Sequence, residues 1–147
     1  MTIRNSIIED PVINFATGGT PPSSALFSFN TIVFRSATDI QCSLLDEITA
    51  RFHNNIIVSN DTQTTSVITG NECELINNIL HPQMNVSPTN LDVDPLLIDP
   101  AGGNFRVQST SPAVDAADAT VIFLPDHDFS GAVRPQGAGH DIGAFEQ

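Results

Sequence analysis

The chain has 147 residues, 40% of them hydrophobic, which suits a single domain with its own core. Its 17 Asp and Glu face only 5 Arg and no Lys, a net charge of −12 that excludes a nucleic-acid partner and any Lys-base or Schiff-base chemistry. No apolar run approaches the roughly 18 residues of a membrane span, and Met1-Thr2-Ile3-Arg4-Asn5 lacks the basic and apolar regions of an export signal.

Four short segments repeat in the first eighty positions. They are Asn5-Ser6-Ile7-Ile8, Asn30-Thr31-Ile32-Val33, Asn54-Asn55-Ile56-Ile57 and Asn77-Asn78-Ile79-Leu80, with the leading asparagines 25, 24 and 23 residues apart. Aligned on those asparagines, the positions two before read Ile3, Ser28, Phe52 and Leu75, and those four before read Met1, Leu26, Ala50 and Cys73. The positions two after read Ile7, Ile32, Ile56 and Ile79. Steps of two are strand spacing, so these columns predict an interior that is apolar except at Ser28. A helical solenoid has a comparable period, but Asn, Thr, Ser, Gly and Pro fall where each helix would run. Stacked parallel strands fit better, with the four asparagines at a bend and piled into an amide ladder.

The column one step further on, Ile8, Val33, Ile57 and Leu80, is then predicted to face outward. Four stacked aliphatics are too much apolar surface to leave in water. The stripe is therefore expected to lie under the C-terminal segment or against a second copy of the chain. Cys73 falls in an inward column as a small buried hydrophobe. Cys42 lies 12 residues after Asn30 whereas Cys73 lies 19 after Asn54, and that offset argues against a disulfide.

After Leu80 the period is lost and turn formers dominate, with Asp-Pro twice, Gly-Gly and Ser-Pro around short strands such as Asn104–Val107. Asp94-Pro95-Leu96-Leu97, Gly103-Asn104-Phe105-Arg106-Val107 and Ser111-Pro112-Ala113-Val114-Asp115-Ala116 stand in this part. Gly131, Arg134-Pro135 and Asp141-Ile142-Gly143-Ala144-Phe145-Glu146 complete it. Together with the Asn-Ser-Ile-Ile repeats, this pattern resembles the C-terminal region of right-handed parallel β-helix proteins of the choice-of-anchor Q type, within the pectate-lyase-like superfamily.

The resemblance implies an all-β chain: a short right-handed parallel β-helix of about four turns over residues 1–89, and an irregular capping segment of the same domain over 90–147. Ile142 and Phe145 are the expected anchors of that cap. Proteins of this kind are secreted or surface-attached bacterial products, mostly without an assigned reaction, which implies an extracellular or cell-surface location with the export signal outside this chain. They carry many turns ahead of this region, whereas Met1 already stands in an inward column. The chain is thus expected to be the last turns of a longer protein, or else a short one whose open N-terminal end is covered by self-association.

Alternate positions of the strands before the asparagines hold Phe27 and Phe29, Arg51 and His53, and Glu74. On one lateral face these would offer rings and charges to an acidic polysaccharide. They also read as a solvated face with a weak Arg51–Glu74 pair. No catalytic residue follows from the sequence, because Arg51 with His53 only sketches a lyase site and no glycosidase acid pair can be assigned. Asp126 and Asp128 begin a stretch like a Ca2+ loop, but its twelfth position is Gly137 rather than Glu. With Asp92 and Asp94 they are the candidate Ca2+ ligands, and turn-forming aspartate is the plainer reading of all four. The expected function is a non-catalytic module of a secreted or surface protein that engages carbohydrate. The alternatives are the end of a polysaccharide lyase or glycoside hydrolase, and a purely structural cap.

Overall fold

The computed structural model describes residues 1–11, 24–42, 50–84, 87–121 and 124–147, and these residues are all-β. None of them forms a helix, so none offers one long and apolar enough to cross a membrane. Short runs rich in Ile, Val, Phe and Thr make strands, and Asn, Asp, Ser and Gly punctuate them. The first stack is parallel and contains β1 (Thr2–Arg4), β3 (Ala25–Ser28), β6 (Ala50–His53) and β9 (Glu74–Ile76), in that order. A second parallel stack contains β2 (Ile7–Glu9), β4 (Thr31–Phe34), β7 (Ile56–Ser59) and β10 (Ile79–His81). A third holds β5 (Ile40–Cys42) and β8 (Ile68–Gly70), also parallel. An antiparallel pair, β11 (Leu97–Asp99) and β12 (Asn104–Val107), follows.

The repeat is present, but the second copy sits one residue away from the alignment on Asn5, Asn30, Asn54 and Asn77. Arg4 pairs with Ser28, Ser28 with His53 and His53 with Ile76. The bend column that follows is therefore Asn5, Phe29, Asn54 and Asn77, and all four have left-handed backbones with φ of 53°, 55°, 56° and 54°. Asparagine tolerates that conformation and phenylalanine does not readily. Phe29 occupies an asparagine's place.

The amide ladder forms one residue later, from Asn30, Asn55, Asn78 and Asn90. The Oδ1 of Asn55 accepts the backbone N–H and the Nδ2 of Asn30, both at 3.0 Å. Asn78 receives the same two bonds from Asn55, and Asn90 from Asn78. The Nδ2 groups of the four also donate to the carbonyls of Ile3, Phe27, Phe52 and Leu75 respectively. Those four apolar residues form the true inward column, which removes the anomaly of a polar Ser28 among them. Phe27 stacks flat on Phe52, ring centres 4.6 Å apart.

The left-handed bend residue between the two stacks interrupts the strand alternation, so the second stack turns the opposite faces inward from those expected. Ile8, Ile32, Ile57 and Leu80 point into the interior with Phe27, Phe34 and Phe52. The predicted outward stripe of Ile8, Val33, Ile57 and Leu80 is corrected accordingly, since only Val33 of that set faces out. The outward apolar surface is instead Ile7, Val33, Ile56, Val58 and Ile79, and it lies under Phe105, Val107, Ala113, Ile142, Ala144 and Phe145. Each such side chain contributes about 1.5–3 kcal/mol on full burial, which makes the C-terminal segment a second half of the core.

The expectation of unpaired cysteines is also corrected, for Cys42 and Cys73 form a disulfide. Counting from the asparagines fails here because the connections differ in length, residues 35–39 between β4 and β5 against 60–67 between β7 and β8. Cys42 pairs with Gly70, and the bend after Gly70 wraps over it, with the Glu72 N–H donating to the Cys42 carbonyl at 3.0 Å. That bend delivers Cys73 to Cys42 and ties the third stack to the first.

Candidate functional site

Of the five residues expected on the lateral face, the first stack brings three together. Arg51 Nε lies 2.9 Å from Glu74 Oε2, and His53 Nε2 lies 3.3 Å from Glu74 Oε1. Arg51 and Glu74 face each other across neighbouring strands, while His53 stands two residues along and is mostly covered. Phe27 and Phe29 do not join them. Phe27 is inside the core, and Phe29 is fully buried at the bend. Phe27 and Phe29 therefore supply no stacking platform on this face, and Arg51 is paired with Glu74.

The densest polar chemistry lies where the C-terminal segment meets the bend column. Asn5 Nδ2 donates to the His127 carbonyl at 2.9 Å. Asn54 exchanges two bonds with the backbone of Asp118, at 3.1 and 2.8 Å, and Asn77 Nδ2 donates to the Ala116 carbonyl at 2.8 Å. Opposite Phe29, the place of the missing amide is taken by Arg134, whose guanidinium lies 5.2 Å from the ring centre. Arg134 Nη1 binds Glu146 Oε2 at 2.9 Å and the Asp141 carbonyl at 3.0 Å, and Nη2 binds the Gly143 carbonyl at 2.7 Å. Neither side chain of the Arg134–Glu146 pair touches water.

Three further groups complete this lock. Glu146 accepts the N–H groups of Gln136 and Asp141 as well. Asp141 accepts those of Asp115 and Gln147, yet burial first, and the charge of Glu146 next among the upward effects, raise its carboxyl above the usual range. Asp128 is buried too, but the N–H of Glu146, the Ser130 hydroxyl and the N–H groups of Ala132 and Ser130 outweigh burial and hold it below that range. Burial pulls the Arg134 guanidinium downward against the carboxylates around it. Gly143 has φ +99°, and a Cβ there would meet Ile56 Cδ1 at 2.8 Å, so the segment lies directly on the second stack. Ile142 and Phe145 pack into this core as expected.

Of the candidate Ca2+ ligands, Asp94 and Asp128 serve turns, while Asp92 and Asp126 pair with histidines. Asp94 caps the N–H of Leu96, and Asp92 pairs with His81 Nδ1 at 2.8 Å. Asp126 pairs with His127 at 3.1 Å, while Asp128 is consumed by the bonds above. Among the described residues no three His, Cys, Asp or Glu side chains gather into a metal-binding group. A cavity of about 670 Å3 at the end of the stacks is walled by Ile68, Thr69, Cys73, Leu75 and Gln83. Gln83 spans part of it by bonding both backbone groups of Ile68, as a further strand would.

The sequence did not single out Arg134, Glu146 or Asp141 as partners, although a lone Arg with two acids in a stretch of Gly, Ala, Ile and Phe is the signal of a buried ionic lock. No protein-family model matches the chain, and no curated protein and no solved structure matches it either.

Proposed function

We propose that the chain is a non-catalytic terminating module of a right-handed parallel β-helix, exported to an oxidising compartment, in which residues beyond Leu91 form a cap. The 23- to 25-residue repeat, the three parallel stacks and the shared amide column support successive turns of one coil, and parallel crossovers are almost always right-handed. Export is supported by the Cys42–Cys73 bridge, because disulfides persist mainly in oxidising surroundings. The observation that carries the reading is the Arg134–Glu146 pair, an ion pair out of reach of water that fastens the C-terminal segment over Val33, Ile56, Val58 and Ile79.

An uncovered β-coil exposes such a face and invites association. Arg134→Met, which frees the cap, is expected to make the protein bind a hydrophobic dye and self-associate in sedimentation, while the parent does neither. A variant that stays monomeric and dye-silent removes the capping role. Incubation of the parent with uronate polymers is expected to yield no unsaturated or hydrolysed product. Accumulation of product would favour the lyase or hydrolase alternative.

A further inference from the structure

The turn at Asp128–Gly131 presents an aromatic ring beside a cation, Arg106, that has no acid partner among the described residues. Phe129 is 52% exposed, yet its turn is rigidly held. Asp128 Oδ1 accepts Ser130 N–H, the Ser130 hydroxyl and Ala132 N–H at 2.7–2.9 Å, and Phe129 N–H donates to the Ala144 carbonyl at 2.8 Å. The Phe129 ring meets Phe145 edge-on, centres 5.6 Å apart. Arg106, projecting from β12, lies over the same Phe145 ring at 4.6 Å and donates from Nη2 to Ser130 Oγ at 2.8 Å.

Arg106 is otherwise unused. Among the described residues no carboxylate lies within ion-pair distance of it, whereas Arg35, Arg51 and Arg134 each have a Glu. Its Nη1 and Nε make no hydrogen bond to a described residue. In a chain of net charge −12, one guanidinium immobilised on a ring and left without an acid is a directed donor for a carboxylate from outside. Phe129 supplies exposed apolar surface next to it.

We propose that Arg106 and Phe129 form a docking site for a partner protein that presents a carboxylate adjacent to an apolar side chain. Arginine and exposed aromatics with a fixed geometry are the residues that anchor protein interfaces. The polar inventory of the site favours a peptide over an acidic sugar. Of the polar side chains next to it, Ser130 is already bonded twice and His127 is paired with Asp126, so the hydroxyls of a saccharide would find few partners. A second copy of this strongly acidic chain is disfavoured by charge repulsion. The site does not depend on the β-helix reading, since it lies wholly within the C-terminal segment.

The test is a peptide array in which Phe, Leu or Val neighbours Asp, Glu or a terminal carboxylate, matched with Asn, Gln or amide counterparts. Hits are followed by titration with amide NMR of the whole chain. Binding of acidic but not amide peptides, with shifts at Arg106 and Phe129–Gly131, is expected. Arg106→Gln and Phe129→Ala should each weaken it at least about tenfold while leaving the unfolding midpoint near the parent's. An array without a binder overturns the proposal, as does equal binding of acidic and amide peptides. Binding of uronate oligosaccharides in place of peptides overturns the choice of partner.

Discussion

Arg134 lies over the ring of Phe29, its guanidinium carbon 5.2 Å from the ring centre, and both side chains are out of reach of water. Phe29 holds φ +55° in a column where its three neighbours are asparagines. Phe29→Asn should recover up to about 1 kcal/mol of backbone strain. It should also lose about 3–5 kcal/mol of ring burial and the cation–ring attraction. A net cost of roughly 2–5 kcal/mol in urea unfolding is expected. Equal or greater stability of the variant would show that the ring is not the anchor of the cap.

The Arg134–Glu146 pair predicts non-additivity. Arg134→Met strands a buried carboxylate and should cost about 3–5 kcal/mol. Adding Glu146→Gln removes that charge, so the double variant should be more stable than Arg134→Met alone, even though Glu146 also serves Gln136 and Asp141. If the two single losses simply add in a double-mutant cycle, the pair is not coupled.

The repeat was legible because strand spacing and asparagine recurrence are both written in side-chain identity. The register was not, because one residue broke the rule. With Phe29 in the bend column, Asn30 stands next to it and mimics the missing amide, so aligning like with like slips the second copy by one position. Ser28, polar in an otherwise apolar column, was the visible symptom. Asn90 closes the ladder only 12 residues after Asn78. The shorter interval hides it from a search for a constant period. The lock around Arg134 escaped because its members are brought together by the path of the cap over the bends, which no local pattern encodes.

The two asparagine columns separate by experiment. The Asn55 side chain makes four buried bonds with Asn30, Asn78 and Phe27, and Asn55→Ala should cost about 3–5 kcal/mol because several buried groups lose their partners. Asn5 makes one exposed bond to the His127 carbonyl and accepts a long one of 3.5 Å from Arg134 Nη2, so Asn5→Ala should cost about 1 kcal/mol or less. Thermal or urea unfolding of the two variants checks the order. Similar losses would put the ladder in the wrong column.

The disulfide joins residues 31 apart in sequence. Chain-entropy reasoning assigns such a closure about 3–4 kcal/mol. Replacing Cys42 and Cys73 together by Ala should lower stability by up to that amount, and the folded, unreduced parent should be insensitive to thiol reagents. A reactive free thiol in the native parent, found by titration, would contradict the bridge.

Asp128 gives the acid response of the cap a sign. Its folded carboxyl lies below the ordinary range, held there against burial by the N–H of Glu146, the Ser130 hydroxyl and the N–H groups of Ala132 and Ser130. A depressed carboxyl stabilises the fold above its unfolded pKa of about 3.9, and that stability is lost as pH falls through the lower folded value. Asp141 runs the other way: its raised carboxyl takes up a proton earlier in the folded state, which offsets part of the loss in mild acid. Asp128→Asn keeps one acceptor oxygen but turns an amide toward the Glu146 N–H, at a cost of about 2 kcal/mol near neutral pH. Unfolding free energies of parent and variant should therefore differ most from about pH 5 upward and converge toward about pH 2. A difference that stays constant across that window would mean that the Asp128 bonds do not depend on its charge.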